Sequence, residues 1–171
     1  MSAIDSRPDN MNFLSPLNFK FQLKRAPALN FFCQKVNLPG LSLPNVNFPT
    51  SALNIPYPGD QLLYNDLTVS FKVDENLANY LEIHNWLRSL GRVDSYQALA
   101  LQPSYTGDGL YSEISLMLLT SYKNPNFEVV FENAFPTSLS GLDFITTAED
   151  VDYLEAEVVF KYVKYELKKI V

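Results

Sequence analysis

Residues 17–24 alternate without a break: Leu17, Phe19, Phe21 and Leu23 stand between Asn18, Lys20, Gln22 and Lys24. Successive side chains of a strand point to opposite faces, so this period of two predicts a strand with one wet face. Arg25-Ala26-Pro27 interrupts it, and Leu29 to Val36, with Phe31, Phe32 and Cys33, is expected to return as its hairpin partner. Leu67, Val69, Phe71 and Val73 repeat the alternation around Thr68, Ser70 and Lys72. The period then lengthens. Leu77, Tyr80, Leu81, His84, Leu87 and Leu90 form a helical stripe, widened by Ile83 and Trp86, with Gly91 placed for the C-terminal cap. This predicts one helix over about residues 75–90, with Asp74 or Asn76 offering an oxygen to an orphan N–H at its start.

The C-terminal third reads as strands. Glu113 to Tyr122 puts Ile114, Leu116, Leu118 and Thr120 on one face, Asn124-Pro125-Asn126 turns the chain, and Phe127 to Phe131 returns. A turn is expected at Pro136-Thr137-Ser138, a short strand at Leu142, Phe144 and Thr146, and a long strand from Tyr153 to Leu167. Residues 92–112 read as a loop, and residues 1–16 as a flexible N-terminal arm ahead of one domain at 17–171.

The segment from Val36 to Gly59 follows neither period. It runs 24 residues without a charge and holds Pro39, Pro44, Pro49, Pro56 and Pro58, five of the chain's 11 prolines. Proline has no N–H to give a ladder, so this is no central strand. It far exceeds an ordinary connection of ~4–6 residues. Two readings stand: a buried irregular loop across the core, or an extended arm or hairpin packed on a neighbouring subunit. Its apolar, charge-free composition favours the second.

Composition sharpens this picture. A chain of 171 residues with 47% apolar residues has material for one core, and a domain of this size buries roughly two-thirds of its surface on folding. Charged residues are only 19%, below the usual ~25%, which suggests that something else covers part of the surface. The net charge of -6 argues against a protein that grips nucleic-acid phosphates. Residues 1–10 carry Asp5, Arg7 and Asp9 without an apolar stretch, so no signal peptide is read there, and no apolar run approaches the ~20 residues that span a bilayer. A soluble product of a reducing cytosol is expected.

Candidate chemistry is thin. Cys33 and His84 are each single, which excludes an intramolecular disulfide and paired-ligand metal motifs. Cys33 reads as a small buried hydrophobe and His84 as a core or boundary residue. There is no Gly-x-Ser-x-Gly elbow, and Gly107-Asp108-Gly109 lacks the rest of a phosphate loop. Glu149, Asp150, Asp152, Glu155 and Glu157 lack the spacing of a calcium loop and read as a solvated bend. Lys161, Lys164, Lys168 and Lys169 follow, so the last strand is acidic at its start and basic at its end. No catalytic, cofactor or metal constellation survives, and an enzyme is not expected.

Two segments carry a resemblance. One is Tyr57-Pro58-Gly59-Asp60 leading through Leu67-Thr68-Val69-Ser70-Phe71 to Asp74-Glu75 and the helix with Trp86. The other is Phe135-Pro136-Thr137-Ser138-Leu139, then Leu142-Asp143-Phe144, then the strand ending Phe160-Lys161-Tyr162. In order and spacing, across roughly residues 17–167, the chain resembles the tail tube protein family of contractile-tailed bacteriophages. The resemblance implies a mainly β (α+β) fold, a β-sandwich or partly closed barrel with one flanking helix and an extended hairpin at 36–66. It implies six copies in a ring whose inner strands join into a barrel, with rings stacked as a conduit that passes DNA without binding it, inside a virion tail beside sheath, tape-measure and baseplate proteins. By position, Leu41, Leu43, Val46, Phe48, Leu53, Ile55, Tyr57, Asp60 and Tyr64 become candidate intersubunit contacts. The same resemblance reaches baseplate tube initiators and tail terminators. A monomeric β-sandwich whose Tyr and Phe residues line a ligand cleft is the rival from another class.

Overall fold

In a computed structural model, residues 12–50, 53–91, 110–146 and 153–170 are described. The alternating segment folds as β1 (Phe19–Leu23), with Phe21 and Leu23 buried. The expected hairpin partner does not form. Pro27–Phe32 is instead a short helix, α1, with Pro27 in its first turn, where the missing N–H costs no hydrogen bond. Only Cys33–Val36 is extended (β2), and it pairs with a different strand, β7 (Leu67–Lys72). The chain therefore has a second helix that the sequence pattern does not announce: six residues are too few to show a helical period.

β7 follows its prediction, with Leu67, Val69 and Phe71 fully buried. The helix α2 (Ala78–Leu90) also forms, but its buried stripe is turned from the one expected. Ile83 and Trp86 face the core, whereas Leu81 and His84 are exposed, so His84 is no core residue. Asn79 sets this rotation. Fully buried, it donates its amide to the Lys72 carbonyl (2.8 Å) and accepts from the Asp74 N–H, while its own N–H donates to the Asp74 carboxylate. The N-cap position itself is Leu77, without a side-chain cap; Asp74 takes up a first-turn N–H from three residues before it, and the Gly91 N–H closes the other end on the Leu87 carbonyl (3.2 Å).

β8 (Ser112–Leu119) runs into β9 (Pro125–Leu139), a strand of 15 residues. No turn occurs at Pro136-Thr137-Ser138. Phe160 pairs with Pro136 and Val159 with Ser138, so Thr137 is the extra residue of a bulge, which lets proline sit in a strand without orphaning a partner. The expected strand at Leu142, Phe144 and Thr146 is irregular backbone. The long last strand is two: β10 (Glu155–Lys161) and β11 (Lys164–Lys169). Lys161 pairs with Phe135 and Lys164 with Glu132, so one register continues across the break. Opposite that break Asn133 has φ 54, a left-handed conformation that asparagine tolerates, and the β9 ribbon bends there.

The bend makes the architecture. One half is β1-β8-β9-β11 and the other is β9-β10-β7-β2, sharing β9 within a seven-stranded sheet that does not close into a barrel. Phe71, Phe131, Phe160, Ile114 and Val158 fill the space between the halves, and α2 packs beside β9. Most of residues 1–16, of the loop at 92–112 and of the acidic bend at Glu149–Asp152 lies outside the described residues, as does Gly107-Asp108-Gly109.

Candidate assembly surface

Among its described residues the charge-free segment is largely paired strand and, Pro39 apart, is not buried. Leu41–Ser42 (β3) pairs with Leu63–Tyr64 (β6), and beyond them Asn45–Pro49 (β4) pairs with Asn54–Pro58 (β5) as a separate two-stranded hairpin. Every residue of β4 and β5 is exposed. The register sets Val46 opposite Tyr57 and Phe48 opposite Ile55, so these four share one face, with the Phe48 and Tyr57 rings edge to face at 6.4 Å. Asn45, Asn47, Pro49, Asn54, Pro56 and Pro58 take the other face. Val46 is 64% exposed and Phe48 59%. An apolar face this open, on a segment without charge, is what a contact surface has before its partner arrives.

The base of the hairpin is pinned to the sandwich. The Tyr162 hydroxyl donates to the Asn65 carbonyl at 2.7 Å, and the Tyr165 hydroxyl donates to the Pro39 carbonyl at 3.1 Å. Their rings pack edge to face with Tyr64 and against Phe131. Burial pushes the Tyr162 phenol up to about 12, with Tyr165, Asp66 and Tyr64 adding to the effect. Asn37 stitches the segment to β7: its N–H donates to the Thr68 carbonyl and its side-chain oxygen accepts the Thr68 N–H at 2.6 Å. At the neck, the Gly59 N–H donates to the Pro44 carbonyl at 2.7 Å, and a Cβ on residue 59 would lie 2.6 Å from that oxygen. Only glycine allows the two strands this close.

Of the nine candidate contacts, Val46, Phe48, Ile55 and Tyr57 form the single apolar face. Leu53 lies at the hairpin tip, Leu41 and Leu43 on its approach, and all three are exposed. Asp60 is exposed in the connection to β6, and Tyr64 belongs to the aromatic anchor rather than to the face. Sequence reasoning misses the anchoring roles of Tyr162, Tyr165 and Asn37. A Tyr-x-x-Tyr pair at a strand break is the signal that could have found the first two. Cys33 is half-buried at the edge of the core, and burial pushes its thiol up to about 11, which disfavours the thiolate a nucleophile needs. Among the described residues no group of three His, Cys, Asp or Glu is placed to hold a metal ion. No helix among them is long and apolar enough to cross a membrane.

Solved structures share this architecture. The tube-terminating cap of the anti-feeding prophage matches with a TM-score of 0.64 at 14% identity, covering 99% of this chain and 100% of that one. A chain of the PVC sheath-tube complex, an extracellular contractile injection system in its extended state, matches at 0.59 and 15% identity, covering 99% of each. A chain of the anti-feeding prophage baseplate matches at 0.61 and 13%, covering 88% of this chain and 90% of that one. No curated protein matches. The fold is thus one shared with chains of contractile particles. Residues 9–168 match the phage tail tube protein family, and the chain belongs to it. It is a structural protein rather than an enzyme.

Proposed function

We propose that this chain is a tail tube subunit whose copies form hexameric rings, and that the rings stack into the conduit for DNA in a virion tail, beside sheath, tape-measure and baseplate proteins. The observation that carries this is the uncharged hairpin, anchored at its base and exposed along both of its strands in a chain of the tail tube family. The sheet also ends on β11 in one half and on β2 in the other, and pairing between open strand edges of neighbouring copies closes a ring and removes the liability of open edges. A net charge of -6 suits a wall that DNA must slide past, since it offers few firm phosphate contacts.

The test is electron microscopy of the purified protein at high concentration, alone and with its tail partners. Stacked six-fold rings are expected. A persistent monomer overturns the reading, and a saturable small ligand on that monomer would establish the binding-domain rival. Rings that form but never lengthen would move the chain to an end of the tube, where an initiator or terminator of the same fold belongs.

A further inference from the structure

The hairpin's two outer edges are chemically different, and prolines make them so. In an antiparallel pair, rungs that exchange hydrogen bonds alternate with rungs whose N–H and C=O groups point away from the partner strand. Two bonds fix the alternation here: Thr50 N–H to the Leu53 carbonyl at the tip, and Gly59 N–H to the Pro44 carbonyl at the neck. The register between them makes Val46:Tyr57 and Phe48:Ile55 bonded rungs, and Asn45:Pro58, Asn47:Pro56 and Pro49:Asn54 outward-facing ones. Pro49, Pro56 and Pro58 therefore all stand where their missing N–H breaks no bond inside the hairpin. What it removes is a donor on the outside. Along β5, Pro56 and Pro58 leave carbonyls only, with one donor at Asn54. Along β4, Asn45 and Asn47 each keep both an N–H and a C=O facing outward. One edge is closed to strand addition and the other is open.

We propose that the hairpin joins a second copy of this chain by strand addition at its β4 edge, and that Pro56 and Pro58 keep the β5 edge shut so that each copy connects in one direction. The proposal rests on the tube reading above. A second copy is the occupant the chemistry fits. The hairpin has no charge with which to meet phosphates or a charged partner. Two open rungs make a weak contact alone, and such a contact becomes strong when identical copies repeat it around an assembly. The chain also carries a matching rung. On β1, the Asn30 side-chain amide takes both outward groups of Leu23, accepting its N–H at 2.7 Å and donating to its carbonyl at 3.2 Å. Phe21 is buried, which leaves the half-buried Phe19 with outward groups open to a partner, beside a groove of about 640 Å³ whose rim carries the exposed Leu17 and Phe31. This groove opens at Cys33, the start of β2, whereas the hairpin leaves from the far end of that strand after Val36. A projecting edge at one end and a receiving edge at the other make a head-to-tail contact, which builds open stacks.

Two variants test the proposal by negative-stain microscopy and sedimentation, with circular dichroism and thermal melting as the folding check. Asn45→Pro/Asn47→Pro removes the two β4 donors at positions where proline costs no internal bond. It is expected to melt like the wild type and to lose stacking while single rings remain. Pro56→Val/Pro58→Val opens the β5 edge and is expected to give branched or laterally clumped assemblies. Unbranched tubes of wild-type length and yield from either variant would overturn the proposal, and the second variant decides the matter even if the first does not fold. A wild-type chain that stays monomeric overturns the tube reading itself, a result distinct from wild-type tubes that the variants also form.

Discussion

β7 and the β4–β5 hairpin lie close together in the chain and carry the same signal, an apolar side chain at every second position. In β7 the signal is answered inside the chain: Leu67, Val69 and Phe71 are each 0% exposed, between β10 and β2 with the core beneath. In the hairpin Val46, Phe48, Ile55 and Tyr57 form as regular a face, and none of them is buried. The two differ in what surrounds the alternation. β7 carries one lysine and is flanked by acidic residues, while the hairpin is bounded by proline and asparagine with no charge at all. Alternation says that one face is to be buried. Its setting says whether the covering surface comes from the same chain.

The largest effect expected from breaking this contrast is at the core. Phe160, fully buried against Trp86, should cost about 3–5 kcal/mol on replacement by alanine, through lost transfer energy and the cavity left behind. Urea unfolding of the dissociated subunit measures it. Phe48→Ala should shift the same curve by less than about 0.5 kcal/mol, as exposed positions do, and should instead lower the yield of assembled particles. If Phe48 proved the more costly for folding, the division between the two regions would collapse.

Deleting Asn45–Pro58 and joining Pro44 directly to Gly59 tests the same division on a larger scale. The two ends already touch through a 2.7 Å hydrogen bond, so the junction needs little rearrangement. We expect a folded subunit with near wild-type melting and no assembly. Loss of cooperative unfolding in the deletant would mean that the hairpin supports the core after all. Gly59→Ala is the milder version. Its Cβ meets the Pro44 carbonyl oxygen at 2.6 Å, so the neck must widen. A cost of about 1–3 kcal/mol is expected, as for other overpacked sites, together with weaker assembly. An unchanged melting curve would show that the neck yields freely.

How much of this is legible in the sequence depends on where each constraint comes from. β1, β7 and β8 can be read because their own periodicity records their burial, and α2 can be read as a helix though not in the face it buries. The hairpin's autonomy can be read from its missing charges, but its register cannot, because prolines at every second rung look like breaks until the rungs that need no N–H are known. The misreadings share one cause. Leu29 to Val36 has the composition of a strand, yet α1 takes its first part, because Leu29 finds a core position there and Asn30 caps Leu23. Pro136 reads as a turn until Phe160 lies opposite it with Thr137 bulged out. The His84 stripe is displaced by Asn79, a polar residue that wins burial through three hydrogen bonds. Each of these depends on a partner that periodicity does not record.

The smallest effect expected is at the joint between the two regions. Tyr162→Phe removes only the hydrogen bond to the Asn65 carbonyl, worth about 0.5–1.5 kcal/mol. Its more telling signature is in pH. The fold raises this phenol from 10 to about 12, chiefly by burial, so it is the neutral form that the folded state favours. The contribution is therefore complete below pH 10 and is lost as pH rises through that interval towards 12. Melting temperature should fall over this range in the wild type and fall less steeply in Tyr162→Phe. Equal slopes in the two would mean that the anchor is not what joins the hairpin to the sandwich. A reduced slope in Tyr162→Phe alone, with assembly weakened in the same variant, would show that the exposed region depends on the packed one for its orientation.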